Sequence, residues 1–135
     1  MHKKKVLIVD NDKDFLSELR EVLEMSGYEL VAVEDPCYAL EIASRAQVDV
    51  VLLDLKMPKK NGFDLAYELH HSPHLRGCPI IAMTGFYKEE YQSLFAKCGI
   101  RKCLKKPFRP LDVISVIEDA LTEEMKNNFV ADFSA

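Results

Sequence analysis

Three short, uninterrupted apolar runs constrain the fold of this chain more than any other feature of its sequence. They occupy residues 6–9, 50–53 and 80–83. A strand with one face in water alternates apolar and polar residues, and these runs do not alternate. Continuous apolar strands are typical of a parallel sheet that is covered on both faces. The runs therefore predict buried parallel strands at the centre of one domain.

Weaker strand signals and several helix signals lie around these runs. Residues 28–33 and 102–104 are shorter or more polar, and they are predicted at sheet edges. Between the strands, apolar residues recur at three- and four-residue steps, which is typical of amphipathic helices. The first helix is predicted to begin after Asp12, as its N-cap, and to end near Gly27. The other four helices are predicted after Pro36, after Asn61-Gly62, from Tyr91 to Gly99, and after Pro110.

The order of these segments predicts the fold class. Strand starts fall near positions 6, 28, 49, 79 and 101, so strand and helix alternate five times. This alternation implies a parallel sheet with right-handed crossovers and helices on both faces. The prediction is a doubly wound α/β domain of three layers. Residues 4–125 are assigned to this domain, and residues 126–135 to a C-terminal tail or the start of a linker.

Composition favours one globular domain and excludes several function classes. The chain has 135 residues, of which 48% are hydrophobic and 30% charged, and its net charge is −4. A disordered chain would be poorer in apolar residues, and a general nucleic-acid surface would need a clustered basic excess. No apolar run approaches the ~18 residues of a membrane span. We therefore expect neither direct nucleic-acid binding nor membrane insertion.

The start of the chain and its thiols predict a cytoplasmic location. Residues 1–5 are basic but lead into only a few apolar residues, unlike a secretory signal. The cysteines form no C-x-x-C pair and have no zinc-finger spacing, so reduced thiols are expected. They are Cys37, Cys78, Cys98 and Cys103. His70, His71 and His74 have no matching fourth ligand nearby and are interpreted as surface residues.

Polar residues gather where the predicted strands end. In open α/β sheets, ligands bind outside the carboxyl ends of the strands. Clustered carboxylates with amide and carbonyl oxygens suit a hard cation such as Mg²⁺, and a nearby lysine can hold a phosphoryl oxygen. A carboxylate can also be the nucleophile in phosphoryl transfer. The residues at these strand ends are Asp10, Asn11, Asp12, Asp54, Thr84, Lys105 and Lys106.

In these stretches the chain resembles the receiver domains of two-component response regulators, the CheY-like family. The resemblance covers roughly residues 4–125, and four motifs fall in order, each at a predicted strand end. They read VLIVDND at 6–12, VLLDLKMPKKNG at 51–62, PIIAMTG at 79–85 and KKPF at 105–108. The resemblance implies a flavodoxin-like (βα)5 three-layer sandwich with strand order 2-1-3-4-5. It also implies a phosphorylation switch rather than a turnover enzyme.

The resemblance further implies the residues that handle the phosphoryl group. Asp54 matches the phosphoacceptor, which takes its phosphoryl group from a sensor histidine kinase or a phosphotransfer protein. Thr84 matches the switch hydroxyl, and Lys106 matches the lysine that contacts the phosphoryl oxygen. Lys105, the other lysine of this motif, matches no functional position in this alignment. The bond before Pro107 is a candidate cis peptide.

A Mg²⁺ site is implied in the same way. Asp10, Asn11, Asp54 and the backbone carbonyl of Lys56 match the positions of its ligands, and Asp12 is a further candidate. Asn11 departs from the family, which usually has a second acid there. Because asparagine keeps an oxygen ligand but removes one negative charge, we expect weaker Mg²⁺ affinity than is usual for a receiver.

A second departure concerns the output of the switch. Cys103 stands where the family usually has Tyr or Phe, an aromatic that moves together with the switch hydroxyl. A thiol is too small to sweep the same volume, so the hypothesis is a muted output or one carried by the fourth helix. In the family, helix four, strand five and helix five form the usual partner surface. An unidentified downstream protein and a second copy of the chain are its candidate partners.

Three other functions compete with a phosphorylation switch. A degenerate receiver would bind proteins without regard to phosphate, and Asn11 and Cys103 favour it. A hydrolase with an aspartyl nucleophile would need a second acid two residues after Asp54, where Lys56 stands. A cofactor carrier is disfavoured by the acidic first loop and by the lack of G-x-G-x-x-G and P-loop motifs.

Overall fold

A parallel sheet forms the central layer of the computed structural model, which describes residues 3–123 and 132–134. Its strands are β1 (Lys5–Val9), β2 (Glu29–Val33), β3 (Val50–Asp54), β4 (Ile80–Thr84), β5 (Ile100–Lys105) and β6 (Asp132–Ser134). They lie in the order β2-β1-β3-β4-β5-β6, and every neighbouring pair is parallel. The order of the first five strands confirms the predicted 2-1-3-4-5 arrangement.

Helices cover both faces of the sheet, as predicted. They are α1 (Lys13–Met25), α2 (Ala39–Ala46), α3 (Gly62–His70), α4 (Tyr91–Cys98) and α5 (Pro110–Glu123). One hydrophobic core lies between the sheet and the α1/α5 pair, and the other lies under α2, α3 and α4. Within the described residues, none of the helices combines the length and apolar character that a membrane crossing requires.

The apolar run of β1 contributes to both cores at once. Leu7 and Val9 belong to the core under α2, α3 and α4, whereas Val6 and Ile8 belong to the core under α1 and α5. Successive residues of a strand point to opposite faces, so a strand covered on both sides needs an uninterrupted apolar run. This explains why continuous rather than alternating runs mark the central strands of this chain.

Caps in the structure mark three of the predicted helix boundaries, namely the starts of α1 and α3 and the end of α4. The Asp12 side chain accepts hydrogen bonds from the backbone N–H groups of Asp14 and Phe15 and so caps α1. Asn61 caps α3 by accepting from the N–H of Phe63 at 2.7 Å. At the end of α4, Gly99 has a φ of +72°, a left-handed conformation that glycine adopts without a steric cost.

The prediction that both weaker strands lie at sheet edges is correct for β2 and wrong for β5. Residues 102–104 of β5 lie in parallel register with residues 132–134, which form β6. A three-residue strand of this kind is held by backbone hydrogen bonds to the neighbouring edge rather than by a long apolar pattern. The sequence periodicity of the tail therefore gave no sign of it.

Gly62, the first residue of α3, has no room for a side chain. A Cβ there would lie 2.5 Å from Leu55 Cα and 2.8 Å from the carbonyl oxygens of Asp54 and Leu55. Because these are backbone atoms, they cannot rotate away. We expect Gly62→Ala to lower the free energy of unfolding by about 1–3 kcal/mol, measured by urea denaturation.

Gly85→Ala is the matched control for this substitution. A Cβ at Gly85 would meet no atom within 4 Å. We expect its free energy of unfolding to stay within about 0.5 kcal/mol of the wild-type value. An equal loss of stability in both variants would contradict the packing explanation.

Candidate functional site

Two buried carboxylates lie side by side at the carboxyl end of the sheet. Asp54 is the last residue of β3, and Asp10 directly follows β1. The two strands are neighbours, with Val9 in register with Leu53, so the residues that follow them are brought together. Asp10 is 0% exposed and Asp54 is 7% exposed. Burial of two acids without a counter-charge is costly, so the site requires a cation.

Lys106 supplies a positive charge to both carboxylates. Its Nζ donates to Asp10 Oδ2 at 3.0 Å and to Asp54 Oδ2 at 3.4 Å. The backbone N–H of Lys106 donates to the carbonyl oxygen of Thr84 at 2.7 Å, which ties the residue to the end of β4. The bond between Lys106 and Pro107 is cis, as predicted. Lys106 thus links the ends of β1 and β3 through its ammonium group and the end of β4 through its backbone.

Backbone N–H groups orient the two carboxylates from the other side. Asp10 Oδ1 accepts from the N–H of Asp12 at 2.9 Å, and Asp54 Oδ1 accepts from the N–H of Lys56 at 3.0 Å. Each acid therefore bonds the backbone through one oxygen and Lys106 through the other. This arrangement fixes both carboxylate planes before any ligand arrives.

The electrostatics of the site reflect burial and opposite charges. Burial raises the pKa of Asp54, and the nearby Asp10 charge adds to that rise, whereas the Lys56 N–H and the Lys106 ammonium oppose it. For Lys106, burial alone would lower the pKa, but the hydrogen bond and charge of Asp10, followed by those of Asp54, raise it overall. The lysine therefore stays charged at neutral pH.

Thr84 reaches the same end of the sheet but its hydroxyl bonds its own loop. Met83 lies in register with Asp54, and Thr84 is the next residue of β4. Thr84 Oγ1 accepts from the N–H of Phe86 and donates to its carbonyl oxygen, both at 3.0 Å. Reorienting this hydroxyl toward a group on Asp54 would require the Phe86 bonds to break.

Two aromatic residues of the site were missed by the sequence reasoning. Phe86 is 52% exposed, and its ring centroid lies 5.4 Å from Lys56 Nζ and 5.2 Å from Lys88 Nζ. Phe15 lies on the other side, with its ring centroid 4.8 Å from Lys106 Nζ. The sequence pattern indicates only an apolar position of the first helix for Phe15, and a core or rim position near the fourth helix for Phe86. Neither pattern signals a cation contact.

The two acids and their neighbours in the sequence carry oxygen atoms of the kind that a hard cation such as Mg²⁺ prefers. Asp10 and Asp54 are carboxylates, Asn11 offers an amide oxygen and Lys56 a backbone carbonyl. Among the described residues, no group of three His, Cys, Asp or Glu side chains could hold a metal. A cation bound here would therefore depend on amide, carbonyl and water oxygens besides the two carboxylates, as Mg²⁺ commonly does. Asp12 Oδ1 is engaged in capping α1.

Comparison with known proteins identifies the family to which this chain belongs. The family model of the response regulator receiver domain matches residues 6–118. The chain belongs to that family. It is a receiver domain of two-component signalling, and its family and fold were predicted correctly.

Individual relatives support the same assignment. The transcriptional regulatory protein CpxR of Escherichia coli K12 is 33% identical over 129 residues, which are 92% of this chain and 54% of CpxR. The chain thus spans about half the length of that relative. The chemotaxis protein CheY4 of Vibrio cholerae superposes with a TM-score of 0.85 at 27% identity, covering 89% of this chain and 100% of CheY4.

A more distant structure shows the fold alone. The receiver domain of the sensor histidine kinase PA1611 of Pseudomonas aeruginosa has a TM-score of 0.79 at 22% identity, covering 90% of this chain and 99% of that domain. In that protein a magnesium ion is coordinated in the active-site cleft. The same architecture therefore also occurs in a receiver domain that belongs to a sensor histidine kinase.

Cys103, the second departure from the receiver pattern, is packed in the core. Cys103 is fully buried on β5, and burial raises the pKa of its thiol to about 12. It shares a core with Phe95 of α4, against which Tyr87 and Tyr91 also pack. Phe63 of α3 packs against the same core. Aromatic bulk on this face therefore comes from α3, from α4 and from the loop before α4.

The histidines interpreted as surface residues, His70, His71 and His74, are exposed.

The raised pKa of Asp54 predicts how its neutral replacement changes stability with pH. The folded pKa lies above the model-compound value of 3.8, so the ionised acid costs stability in full above the folded pKa. Below 3.8 the acid is protonated in both the folded and unfolded states, and that cost vanishes. We expect Asp54→Asn to raise the free energy of unfolding at pH 7 by about 1 kcal/mol without metal. The gain should shrink toward pH 4.

Urea denaturation in EDTA between pH 7 and pH 4 measures this difference. The exposed Asp119→Asn on α5 is the control, because its carboxylate lies in water and should show little difference at any pH. A gain for Asp54→Asn that is constant, or that grows as the pH falls, would contradict the burial explanation.

Proposed function

We propose that the receiver is switched by phosphorylation of Asp54. The donor is the phosphohistidine of a sensor histidine kinase or of a phosphotransfer protein. The observation that carries the proposal is the contact of one ammonium group, Lys106 Nζ, with two buried carboxylates, Asp10 and Asp54. Family membership supports it, because these residues stand in the matching motifs.

In the proposed reaction a carboxylate oxygen of Asp54 attacks the phosphorus of the donor. A P–O bond forms as the P–N bond breaks, and the imidazole nitrogen keeps the electron pair of the broken bond. Lys106 then holds a phosphoryl oxygen and neutralises charge that develops on it. The domain assists its own modification in this way, but it acts as a switch rather than as a turnover enzyme.

We propose Mg²⁺ as the cofactor of this reaction. Asp10, Asn11, Asp54 and the backbone carbonyl of Lys56 would hold it, and Asp12 serves as the cap of α1. When bound, Mg²⁺ supplies positive charge that offsets the repulsion between the carboxylates and the phosphoryl group. The oxygen-only ligand set supports this choice of metal.

Asn11 gives the metal proposal its test. Because Asn11→Asp restores one negative charge beside Asp10, we expect it to tighten Mg²⁺ binding by about threefold or more. Isothermal titration calorimetry or amide NMR measures the dissociation constant. Asn61→Asp is the control: it adds the same charge and keeps the cap of α3, but it lies outside the proposed ligand set. Equal affinity in wild type and Asn11→Asp would count against a ligand role for Asn11.

The switch proposal is tested by direct phosphorylation. The receiver is incubated with acetyl phosphate and Mg²⁺, and its intact mass is compared with that of a sample containing EDTA. We expect the mass of one phosphoryl group to be added only when Mg²⁺ is present. No mass gain under either condition would favour the degenerate receiver that ignores phosphate.

We further propose the partners and location of the switch. The downstream partner, or a second copy of the chain, binds the face formed by α4, β5 and α5. Leu94 and Leu111 support this, because both are large apolar side chains exposed on α4 and α5. A cytoplasmic location agrees with the free thiols of the described residues.

A further inference from the structure

Phe15 lies against the ammonium group of Lys106 and has no role in the reaction described above. The distance from Lys106 Nζ to the ring centroid is 4.8 Å, within the range of a cation–π interaction. Phe15 is only half-buried, whereas the residues that anchor α1 in the core are Leu16, Leu19 and Leu23. The ring therefore faces the edge of the candidate site as well as packing on the core.

The backbone of the site determines where this ring lies. Asp10 Oδ1 accepts from the N–H of Asp12, and Asp12 Oδ1 accepts from the N–H of Phe15 at 3.1 Å. The Phe15 ring then contacts Lys106, whose Nζ donates to Asp10 Oδ2. These four contacts connect Asp10, Asp12, Phe15 and Lys106 in a continuous series that returns to Asp10. A displacement of α1 would thus be transmitted to the lysine.

A second ring supports the first. Phe108 contacts Phe15 edge-on, with ring centroids 5.6 Å apart and planes at 70°. The two rings line a groove of about 350 Å³ beside the site, together with Asp12, Lys106 and Pro107. Because Phe108 is only two residues after Lys106, the loop that carries the lysine also braces the ring that faces it.

We propose that Phe15 is a positioning residue that holds the ammonium group of Lys106 over Asp10 and Asp54. The Lys106 side chain is 29% exposed and ends a flexible four-carbon stem, so the carboxylates alone leave it a path into water. The ring covers one side of the ammonium and favours the rotamer that faces both acids. This inference rests on the proposed role of Lys106 in phosphorylation of Asp54.

The rate of phosphorylation by acetyl phosphate tests the proposal. We expect Phe15→Leu, which keeps an apolar side chain but removes the ring, to slow the reaction by about three- to tenfold. Phe15→Tyr keeps the ring and should restore a rate close to that of the wild type. Tyr67→Leu removes an exposed ring on α3 and is the matched control, for which no change is expected.

Two further measurements separate positioning from simple packing. In a Lys106→Ala background, Phe15→Leu should cause no additional slowing, because the group that it positions is gone. In the wild type without donor, the ε-methylene protons of Lys106 should show an upfield ring-current shift in NMR spectra, and this shift should be lost in Phe15→Leu. An equal slowing by Phe15→Leu in both backgrounds, or an unchanged methylene shift, would overturn the proposal.

Failure of the proposed function gives a different result. If the wild type gains no phosphoryl group, the switch proposal fails, yet the ring-current shift still reports whether Phe15 holds Lys106. If the wild type is phosphorylated and Phe15→Leu reacts at the same rate, only the positioning role fails.

Discussion

Replacing Lys106 by alanine is expected to slow phosphorylation of Asp54 by acetyl phosphate about 100-fold. The ammonium group contacts both buried carboxylates, at 3.0 Å and 3.4 Å, and is the group best placed to neutralise an incoming phosphoryl oxygen. Without it, charge that develops on the phosphoryl oxygen loses one of the two positive groups proposed to neutralise it, and only the bound Mg²⁺ is left. Initial rates from intact-mass measurements at saturating Mg²⁺ give the comparison.

Lys105→Ala is the matched control for this prediction. Lys105 is the preceding residue and carries the same charge, but it is exposed at the end of β5. Its removal should leave the rate within about twofold of the wild type, since exposed charges contribute little. Lys106→Ala also leaves two buried acids without their ammonium, so its unfolding is measured in the same buffer. Equal slowing in the two variants would show that overall charge, not contact with Asp54, matters.

Replacing Asp54 by alanine should abolish phosphorylation altogether. The carboxylate is the only part of the residue that can form the acyl phosphate, and alanine provides no nucleophile. Intact mass after prolonged incubation with acetyl phosphate and Mg²⁺ measures the effect. Asp119→Ala, which removes an exposed acid of α5, should be modified as fully as the wild type. Phosphorylation that persists in Asp54→Ala would show that another acid is the phosphoacceptor.

The architecture of the receiver could be predicted from local sequence signals. The runs at 6–9, 50–53 and 80–83 specify strands buried on two faces, and caps such as Asp12 and Asn61 mark where helices begin. Because parallel strands end at the same edge, residues that follow different strands meet without any further information. This is why the meeting of Asp10 and Asp54 could be expected from a single sequence.

Other features depend on interactions that a sequence pattern does not encode. The strand at 132–134 is held by backbone pairing with β5. Such pairing leaves no periodic pattern of apolar residues in the sequence. The contacts of Phe15 with Lys106, and of Phe86 with Lys56, depend on the direction taken by flexible lysine stems. The bonds of Thr84 to Phe86 likewise depend on the local turn after β4.

The effect of Cys103 on signalling stays a hypothesis. The buried thiol lies in a core whose aromatic residues are Phe95 and Tyr91 of α4, Tyr87 of the preceding loop and Phe63 of α3. A muted output, or one carried by α4, would agree with this packing. Comparison of the α4 face with and without a phosphoryl mimic distinguishes it from a rearrangement of ordinary size.

Reductive trapping of the phosphorylated receiver tests the central claim most directly. Borohydride converts an aspartyl phosphate to homoserine, and peptide mass spectrometry then identifies the residue that carried the phosphoryl group. We predict homoserine at position 54, formed only after incubation with acetyl phosphate and Mg²⁺. Homoserine at Asp10 or Asp12, or none at any position, would contradict the assignment of Asp54 as the phosphoacceptor.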